Sequence, residues 1–187
     1  MLQRCYLPLA SAIAFFALLM SWLAHGKSQP VLTYAEQDIK AVYVYRLANF
    51  IRWPEGNKNN ISFCTLGEDN TTRSLETLFR QQHAKGQLEA VSSLTDAALR
   101  CDLVYLTQDV VTRYNPLPQY QGLLTISDSP ATLREGGMIE LRTLNSQVKP
   151  ALHLANINNA QLDVSSKLLR IAILVSGTEG KEGSNNE

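Results

Sequence analysis

The sequence of 187 residues has little of several features that define specialised classes of protein. Lys and Arg together number 17, as do Asp and Glu, so the chain lacks the basic excess with which nucleic-acid-binding proteins neutralise phosphates. Its 3 cysteines are too few for a disulfide-dense miniprotein, and its 10 glycines and 7 prolines are too few for a low-complexity chain. The composition, 45% apolar and 18% charged, is typical of a globular domain, and no nucleic-acid partner is expected.

Motifs for the common catalytic chemistries are also missing from the sequence. No G-x-G-x-x-G or P-loop motif is present to hold a nucleotide, and no G-x-S-x-G nucleophile elbow occurs. His83 and His153 lie far apart, and neither has neighbours at a metal-binding spacing. His83 is expected to be solvated, and His153 to lie on one face of a strand. We therefore expect a protein that is not an enzyme and that needs no metal or cofactor.

The N-terminal segment predicts export. Residues 1–26 combine Arg4, an uncharged apolar run from Cys5 to Ala24, and small residues before a cut after Gly26, which is the layout of a secretory signal peptide. The alternative is an uncleaved membrane anchor, because the run approaches the ~20 residues that span a bilayer. Cleavage leaves a domain over 27–176 and a polar, disordered tail over 177–187.

The two remaining cysteines form a possible pair. Once Cys5 is removed with the signal peptide, Cys64 and Cys101 are left in the mature chain. An even number of cysteines in an exported protein favours a disulfide. The alternative is two buried free thiols, which are common in protein cores.

Strand-like and helix-like segments alternate along the mature chain. A long helix is predicted from Tyr34 to Trp53, where Pro54 ends it. Further helices are predicted over 71–85, 109–114 and 165–175, a short helix or turn over 94–100, and strands over 61–66, 88–91, 103–106, 122–126, 138–141 and 151–157. This alternation predicts a single three-layer α/β domain. Its mostly parallel sheet of five to six strands is flanked by helices, and its last two strands form an antiparallel hairpin at one edge.

Acidic residues follow two of the predicted strands. Glu68 and Asp69 come after the first strand, and Asp128 comes after the strand over 122–126. Ligands of α/β proteins bind at the carboxyl ends of strands, so these side chains could line a pocket or hold a cation. The alternative is helix capping, since Asn70 and Ser129 precede helical segments.

Three segments, in order, resemble one family. They are residues 40–45 (KAVYVY) running into 50–54 (FIRWP), residues 122–128 (GLLTISD) followed by 136–139 (GGMI), and residues 157–158 (IN) followed by 164–172 (VSSKLLRIA). Behind a signal peptide, they resemble the YfiR family of small periplasmic proteins. The three segments span residues 40–172, nearly the whole mature chain.

This resemblance implies a periplasmic α/β domain without a catalytic role. It would inhibit an inner-membrane diguanylate cyclase by binding the periplasmic part of that enzyme, which lowers cyclic di-GMP and biofilm formation. It also implies that an outer-membrane lipoprotein could remove the inhibitor, and a homodimer is possible. Cys64 and Cys101 match the positions of one disulfide of the family, whereas the family's second bridge has no counterpart, since residues 145–154 contain no cysteine.

The surface that binds a partner or ligand is expected to include Tyr45, Trp53, Glu68, Asp69 and Asp128. Tyr45 lies on the polar row of the first helix, whereas core packing is the alternative for Trp53. Two other functions stay open. One is a periplasmic sensor of a small ligand, bound near the acidic residues and Trp53. The other is a hydrolase with an unrecognised site, formed by Ser127, Asp128 and His153.

Overall fold

The computed structural model of the protein describes residues 35–176, apart from residues 55, 57, 59 and 82. The predicted signal peptide (1–26) and tail (177–187) lie outside the described residues, and both stay predictions. The helices are α1 (Glu36–Leu47), α2 (Asn70–Arg80), α3 (Leu94–Arg100), α4 (Gln108–Arg113), α5 (Leu154–Asn159) and α6 (Ser166–Leu169). The strands are β1 (Ile51–Arg52), β2 (Ser62–Leu66), β3 (Gln87–Ala90), β4 (Leu103–Leu106), β5 (Leu124–Ser127), β6 (Ile139–Leu144), β7 (Gln147–Leu152), β8 (Asp163–Val164) and β9 (Ile173–Leu174).

A mostly parallel sheet of seven strands organises the domain, which confirms the predicted α/β fold. The strand order is β3-β2-β4-β5-β6-β7-β9, and β1 pairs separately with β8. The neighbours from β3 to β6 are parallel, β6 and β7 are antiparallel, and β7 is parallel to β9. The chain moves outward from β2 to β3 and then crosses back to β4, so the winding direction reverses between β2 and β4.

The two faces of the sheet carry separate hydrophobic cores. On the first face, α1 and α2 pack over inward side chains such as Phe63, Leu103 and Ile126. On the second face, α3 and α4 cover Cys64, Val104 and their neighbours. Helices switch faces where the winding reverses, because parallel crossovers keep one hand. The result is the predicted three-layer arrangement.

The first helix is shorter than predicted. Acidic residues in its first turn and Arg46 in its last turn complement the helix dipole, and Ala41 and Val44 bury its inner side. The helix ends at Leu47, and a 3-10 turn leads into β1, whose residues pair with β8 in an antiparallel ladder. The predicted helix to Trp53 was therefore wrong, because a ladder formed with a distant segment outweighs local helical periodicity.

The C-terminal part differs most from the prediction. Residues 151–157 were predicted as a strand, but β7 begins at Gln147 after a two-residue turn and α5 follows it. The turn residues Asn145 and Ser146 have positive φ angles of 50° and 60°, as a tight hairpin turn requires. The predicted final helix over 165–175 was also wrong, because α6 stops at Leu169 and β9 then joins the sheet beside β7. The predicted hairpin exists, but β9 covers its outer strand.

Candidate functional site

A polar cleft lies at the carboxyl ends of β2, β4 and β5, where the winding of the sheet reverses. Its volume is about 470 Å³. Doubly wound sheets bind their ligands at this kind of position, because the connections leave the reversal point in opposite directions and open a crevice. The walls come from the start of α1 and from the segments that follow the three strands, and they include Glu36, Lys40, Asp69, Thr71, Thr107, Asp109 and Asp128.

Asp69 is fixed in the cleft by capping α2. Its Oδ1 accepts a hydrogen bond from the backbone N–H of Thr72 at 2.7 Å, and the Thr72 hydroxyl oxygen accepts one from the Asp69 N–H at 2.8 Å. This reciprocal pair makes Asp69 the N-cap, one residue before the predicted cap Asn70. The second carboxylate oxygen accepts from the hydroxyl of buried Tyr105 at 3.1 Å. Both the capping and the pocket interpretations of Asp69 therefore apply.

Tyr105 stays neutral beneath the cleft. Burial raises the pKa of its hydroxyl far above the ordinary value, and the nearby carboxylate of Asp128 raises this pKa further. A neutral phenol keeps its proton, so Tyr105 acts as a hydrogen-bond donor to Asp69. The hydroxyl proton of Tyr105 thus fixes Asp69, and Tyr105 adds no negative charge beneath the cleft.

Lys40 joins α1 to the end of β5. Its ammonium group lies 2.8 Å from Asp128 Oδ2 and 2.7 Å from Glu36 Oε1. Burial by itself would lower the pKa of Lys40, but the hydrogen bonds to Asp128 and Glu36 outweigh it and leave this pKa above its usual value. The same contact with Lys40, together with a hydrogen bond from Thr143, lowers the pKa of Glu36. Glu36 and Lys40 are therefore both charged near neutral pH.

The wall of the cleft that contains Thr107 and Asp109 is closely packed. Thr107 donates its hydroxyl proton to Asp109, which lowers the pKa of that exposed carboxylate. Across from it, Gly67 has a φ of +92°, and a Cβ atom at this position would meet Thr107 Oγ1 at 2.1 Å. Glycine is needed here both for the backbone conformation and for the close approach.

One carboxylate oxygen at the cleft has no hydrogen-bond partner among the described residues. Oδ1 of Asp128 is buried and accepts no hydrogen bond from the described residues, whereas Oδ2 is bound to Lys40. A buried acceptor without a partner costs free energy, so a donor brought by a ligand would be favourable there. Across the described ranges, however, no three His, Cys, Asp or Glu side chains are grouped so as to hold a metal ion. The arrangement therefore suits an organic donor group better than a cation held by carboxylates.

The structure brings some of the predicted site residues together and separates others. Asp69 and Asp128 line the same cleft, and Glu68 is exposed beside it. Tyr45 is half-buried against Phe63 and Phe79 on the first face, and its hydroxyl accepts the N–H of Lys85, so its ring is less exposed than its place on the polar row indicates.

Trp53 lies at the opposite end of the sheet from the cleft. It is only 5% exposed, and its indole N–H donates to the carbonyl of Gly122 at 3.1 Å. Core packing, the alternative stated for this residue, describes it. Trp53 therefore cannot share a pocket with the acidic residues.

Sequence reasoning missed most members of the cleft, among them Glu36, Lys40 and Thr107. Glu36 and Lys40 are four residues apart on α1, and this spacing of opposite charges is a readable signal for neighbouring side chains on a helix. Thr107 directly follows the strongest predicted strand, at the same edge as the acidic loops. No local sequence pattern indicates that Lys40 contacts Asp128, because this contact depends on the packing of α1 on the sheet.

The residues of the hydrolase alternative do not form a catalytic arrangement. The hydroxyl oxygen of Ser127 accepts the backbone N–H of Ser129, and the side chain is completely buried. His153 caps α5 by accepting the N–H of Asn156 at its Nδ1 atom, so it does not lie within a strand as predicted. Asp128 is bound to Lys40 instead of a histidine. The bonds of these side chains are those of turns, caps and ion pairs.

Cys64 and Cys101 form a disulfide bond. Their Cα atoms are 6.0 Å apart, a separation within the usual range for a bridge. Cys64 lies inside β2, and Cys101 precedes β4, the parallel neighbour of β2. The bond thus joins adjacent strands, with Cys101 at the amino end of β4, away from the cleft.

Comparison with known proteins identifies the family. A family model described as YfiR/HmsC-like matches residues 37–173. This match runs from the first turn of α1 into β9 and includes every residue that lines the cleft except Glu36. The chain belongs to the YfiR/HmsC-like family. No curated protein matches the sequence.

Membership of the YfiR/HmsC-like family indicates a periplasmic regulator of diguanylate cyclase signalling, and the family is regulatory rather than catalytic. Within the part of the chain that the structure describes, no helix is long and apolar enough to cross a membrane. For this YfiR/HmsC-like protein the cleft is therefore a candidate binding site that presents fixed polar groups.

Proposed function

We propose that this protein is an exported inhibitor of an inner-membrane diguanylate cyclase, and that it acts by binding the periplasmic part of the cyclase. The observation that carries the proposal is the family match over residues 37–173, which covers nearly the whole described domain. Inhibition lowers cyclic di-GMP and biofilm formation. An outer-membrane lipoprotein that competes for the same protein would relieve the inhibition.

The domain organisation of the proposal has three parts. Residues 1–26 are a cleaved signal peptide, residues 27–176 are the YfiR-like domain, and residues 177–187 are a disordered tail. The Cys64–Cys101 bond supports export, because disulfides persist in oxidising compartments such as the periplasm and are rare in the cytosol. Mass spectrometry of protein from the periplasmic fraction should find Lys27 at the N-terminus, whereas a full-length form in the membrane fraction would contradict cleavage.

The surface that we propose for the cyclase lies beside the edge strand β9. Ile171 and Leu174 are 60% and 52% exposed, and a groove between α1 and the β6–β7 hairpin opens next to Ile171. Apolar side chains exposed near a sheet edge are typical of a protein-binding surface, and we assign this one to the cyclase.

The function is tested by deletion and complementation in the bacterium that carries the gene. Loss of the gene should raise cyclic di-GMP and biofilm, and inactivation of the cognate cyclase should reverse both effects. Unchanged cyclic di-GMP in a strain that still produces the cyclase would contradict the proposal.

The surface is tested separately with purified domains. Ile171→Glu should weaken binding to the periplasmic part of the cyclase by about tenfold or more. Leu99→Glu is the matched control, because Leu99 is 81% exposed but lies on α3, on the second face of the sheet. Equal binding by both variants would remove β9 from the interface while leaving the inhibitory function intact. Dissociation of a homodimer by Ile171→Glu, without loss of cyclase binding, would assign the surface to a second copy.

A second candidate function is a small-ligand sensor that uses the cleft, and the unpartnered Oδ1 of Asp128 is the observation that favours it. A ligand with an amine or amide N–H could satisfy this oxygen while it contacts Asp69 and Thr107. Thermal-shift screening with amino acids and nucleotides tests the idea. A saturable rise in melting temperature that Asp128→Asn abolishes would support the sensor, whereas no response to any compound would leave the cleft without this role.

A further inference from the structure

A second cavity lies on the opposite face of the sheet from α1, over the β6–β7 hairpin. Its volume is about 350 Å³, which is within the usual range for small-molecule sites. The irregular segment over 129–137 forms its outer wall, and the start of α5 lines it as well. We call this cavity the hairpin pocket, and its principal lining residues are Leu133, Arg134, Glu140, Arg142, His153 and Asn156.

An ion pair between buried Glu140 and partly exposed Arg142 forms the floor of the hairpin pocket. Glu140 is only 4% exposed and accepts two hydrogen bonds from Arg142, from Nε at 2.8 Å and from Nη2 at 3.1 Å. The two residues alternate with Ile139 and Leu141, whose side chains enter the core on the first face. Buried ion pairs stabilise proteins little in comparison with apolar side chains of the same size. Their effect here is to hold the Arg142 guanidinium in one orientation at the pocket.

Further polar groups around the pocket have fixed directions. Nδ1 of His153 accepts the N–H of Asn156 at 3.2 Å, so the neutral ring carries its proton on Nε2. The amide of Asn156 donates to the carbonyl of Gly137 at 2.8 Å, which fixes its side chain. Arg134 uses Nε to bind Glu135 at the rim, and its terminal nitrogens make no hydrogen bond within the described residues. The pocket thus presents two guanidinium groups and an imidazole N–H.

Apolar residues complete the lining. Pro130, Leu133 and Val175 contribute carbon surface beside the polar groups. A ligand that fits both kinds of lining has one anionic group and a small apolar body. Arginine side chains recognise a planar carboxylate well, because two parallel N–H groups match its two oxygens.

We propose that the hairpin pocket binds a small organic carboxylate. The carboxylate lies against Arg142 and Arg134 and accepts the Nε2–H of His153, while the apolar body packs on Leu133 and Val175. Glu140 is a positioning residue, which acts through the orientation that it gives to Arg142. This site is separate from the cleft beside α1 and does not depend on the cyclase-binding proposal.

Titrations followed by amide and side-chain NMR of the mature protein test the site. The probes are acetate and benzoate, with acetamide and benzamide as neutral analogues of the same shape. Both carboxylates should cause saturable shifts confined to the hairpin pocket, benzoate should bind more tightly, and the amides should cause none. Binding of inorganic phosphate at least as tight as that of benzoate would replace the carboxylate specificity with a general anion site and overturn the proposal.

Variants separate specific binding from surface attraction. Arg142→Gln should weaken benzoate binding by about tenfold or more, and Glu140→Gln should weaken it although this change removes a negative charge. If Glu140 acted only through its negative charge, the Glu140→Gln variant would bind benzoate more tightly. Arg113→Gln, at an exposed ion pair on α4, is the matched control and should bind as the unaltered protein does. Far-ultraviolet circular dichroism checks that each variant is folded. Absence of localised shifts with both carboxylates, or equal affinity of the Arg142 and Arg113 variants, would overturn the proposal.

Discussion

The ammonium group of Lys40 lies 2.8 Å from Oδ2 of Asp128, although 88 residues separate the two in sequence. Both side chains are mostly buried, and the contact joins the start of the domain to the carboxyl end of β5. An ion pair in this position fixes α1 over the cleft. Lys40 also reaches Glu36, so the pair belongs to a three-residue network.

Removal of one partner of this pair should destabilise the fold more than removal of both. Lys40→Met leaves the carboxylate of Asp128 buried without a cation, and we expect a loss of about 3 kcal/mol in the free energy of unfolding. The double variant with Asp128→Asn should lose less, because no uncompensated charge remains. Urea denaturation of the two single variants and the double variant measures the coupling. Additive losses would mean that the two groups do not interact energetically.

The contact between Glu36 and Lys40 should make stability depend on acid pH. The folded-state pKa of Glu36 lies below the unfolded value of 4.5, so its contribution is fully present above that pH. The contribution is lost as pH falls through the folded-state pKa. Because half of the side chain is exposed, solvent screening limits the effect to about 0.5 kcal/mol.

Comparison of unfolding free energies across pH tests this dependence. Glu36→Gln should lower stability near neutral pH and equal the unaltered protein in strong acid. Glu68→Gln is the matched control, because Glu68 is exposed and makes no ion pair within the described residues. A constant difference at every pH for Glu36→Gln would show that its charge is not involved.

The disulfide should contribute a large share of the stability. It closes a loop with a sequence separation of 37 residues, which corresponds to roughly 3–4 kcal/mol in the chain-entropy model. Cys101→Ser should therefore lower the melting temperature markedly. Reductant should lower the melting temperature of the unaltered protein to the same value. Reductant should have no effect on the variant. Two reactive thiols in exported protein that is denatured without reductant would show that the bridge does not form.

Two glycines with nearly the same backbone angle separate conformational strain from close packing. Gly67 has φ +92° and faces Thr107, whereas Gly56 has φ +91° and would have nothing within 4 Å of an added Cβ. Gly56→Ala should cost about 1 kcal/mol from strain alone. Gly67→Ala should cost clearly more, because the added atom overlaps a side chain in the cleft wall. Equal losses in thermal denaturation would contradict the close contact.

Sequence patterns predicted the centre of the fold well. The bounds of α3 and β4 agree with the predicted ranges 94–100 and 103–106, because Ser93 caps α3 and the four residues of β4 are all buried. The two acidic loops were correctly placed at strand ends, and Asp69 and Asp128 meet at one cleft for that reason. Local signals were sufficient wherever a cap or a fully buried strand fixes the element.

The edges of the fold could not be predicted in the same way. The run from Leu152 to Ile157 is apolar enough for a strand, but His153 caps a helix there, and histidine is not among the usual capping residues. Residues 173–174 become a strand only because β7 offers an open edge. The partners of Lys40 likewise come from distant segments. Where a tertiary contact decides the secondary structure of a segment, the periodicity of its sequence does not predict that structure.

The position of α1 at the beginning of the domain has a consequence for the order of folding. Chains leave the ribosome, and cross membranes through secretion channels, starting from the N-terminus. α1 emerges first, yet Asp128, Thr143 and β7, which hold it in place, emerge much later. Part of its apolar side can pack on α2 as soon as that helix emerges, but the rest stays uncovered at the stage when Cys64 and Cys101 can already meet between β2 and β4. A chaperone that binds newly emerged helices would thus act on this protein before the disulfide forms. The enzyme that forms the disulfide would act before α1 packs fully on the sheet.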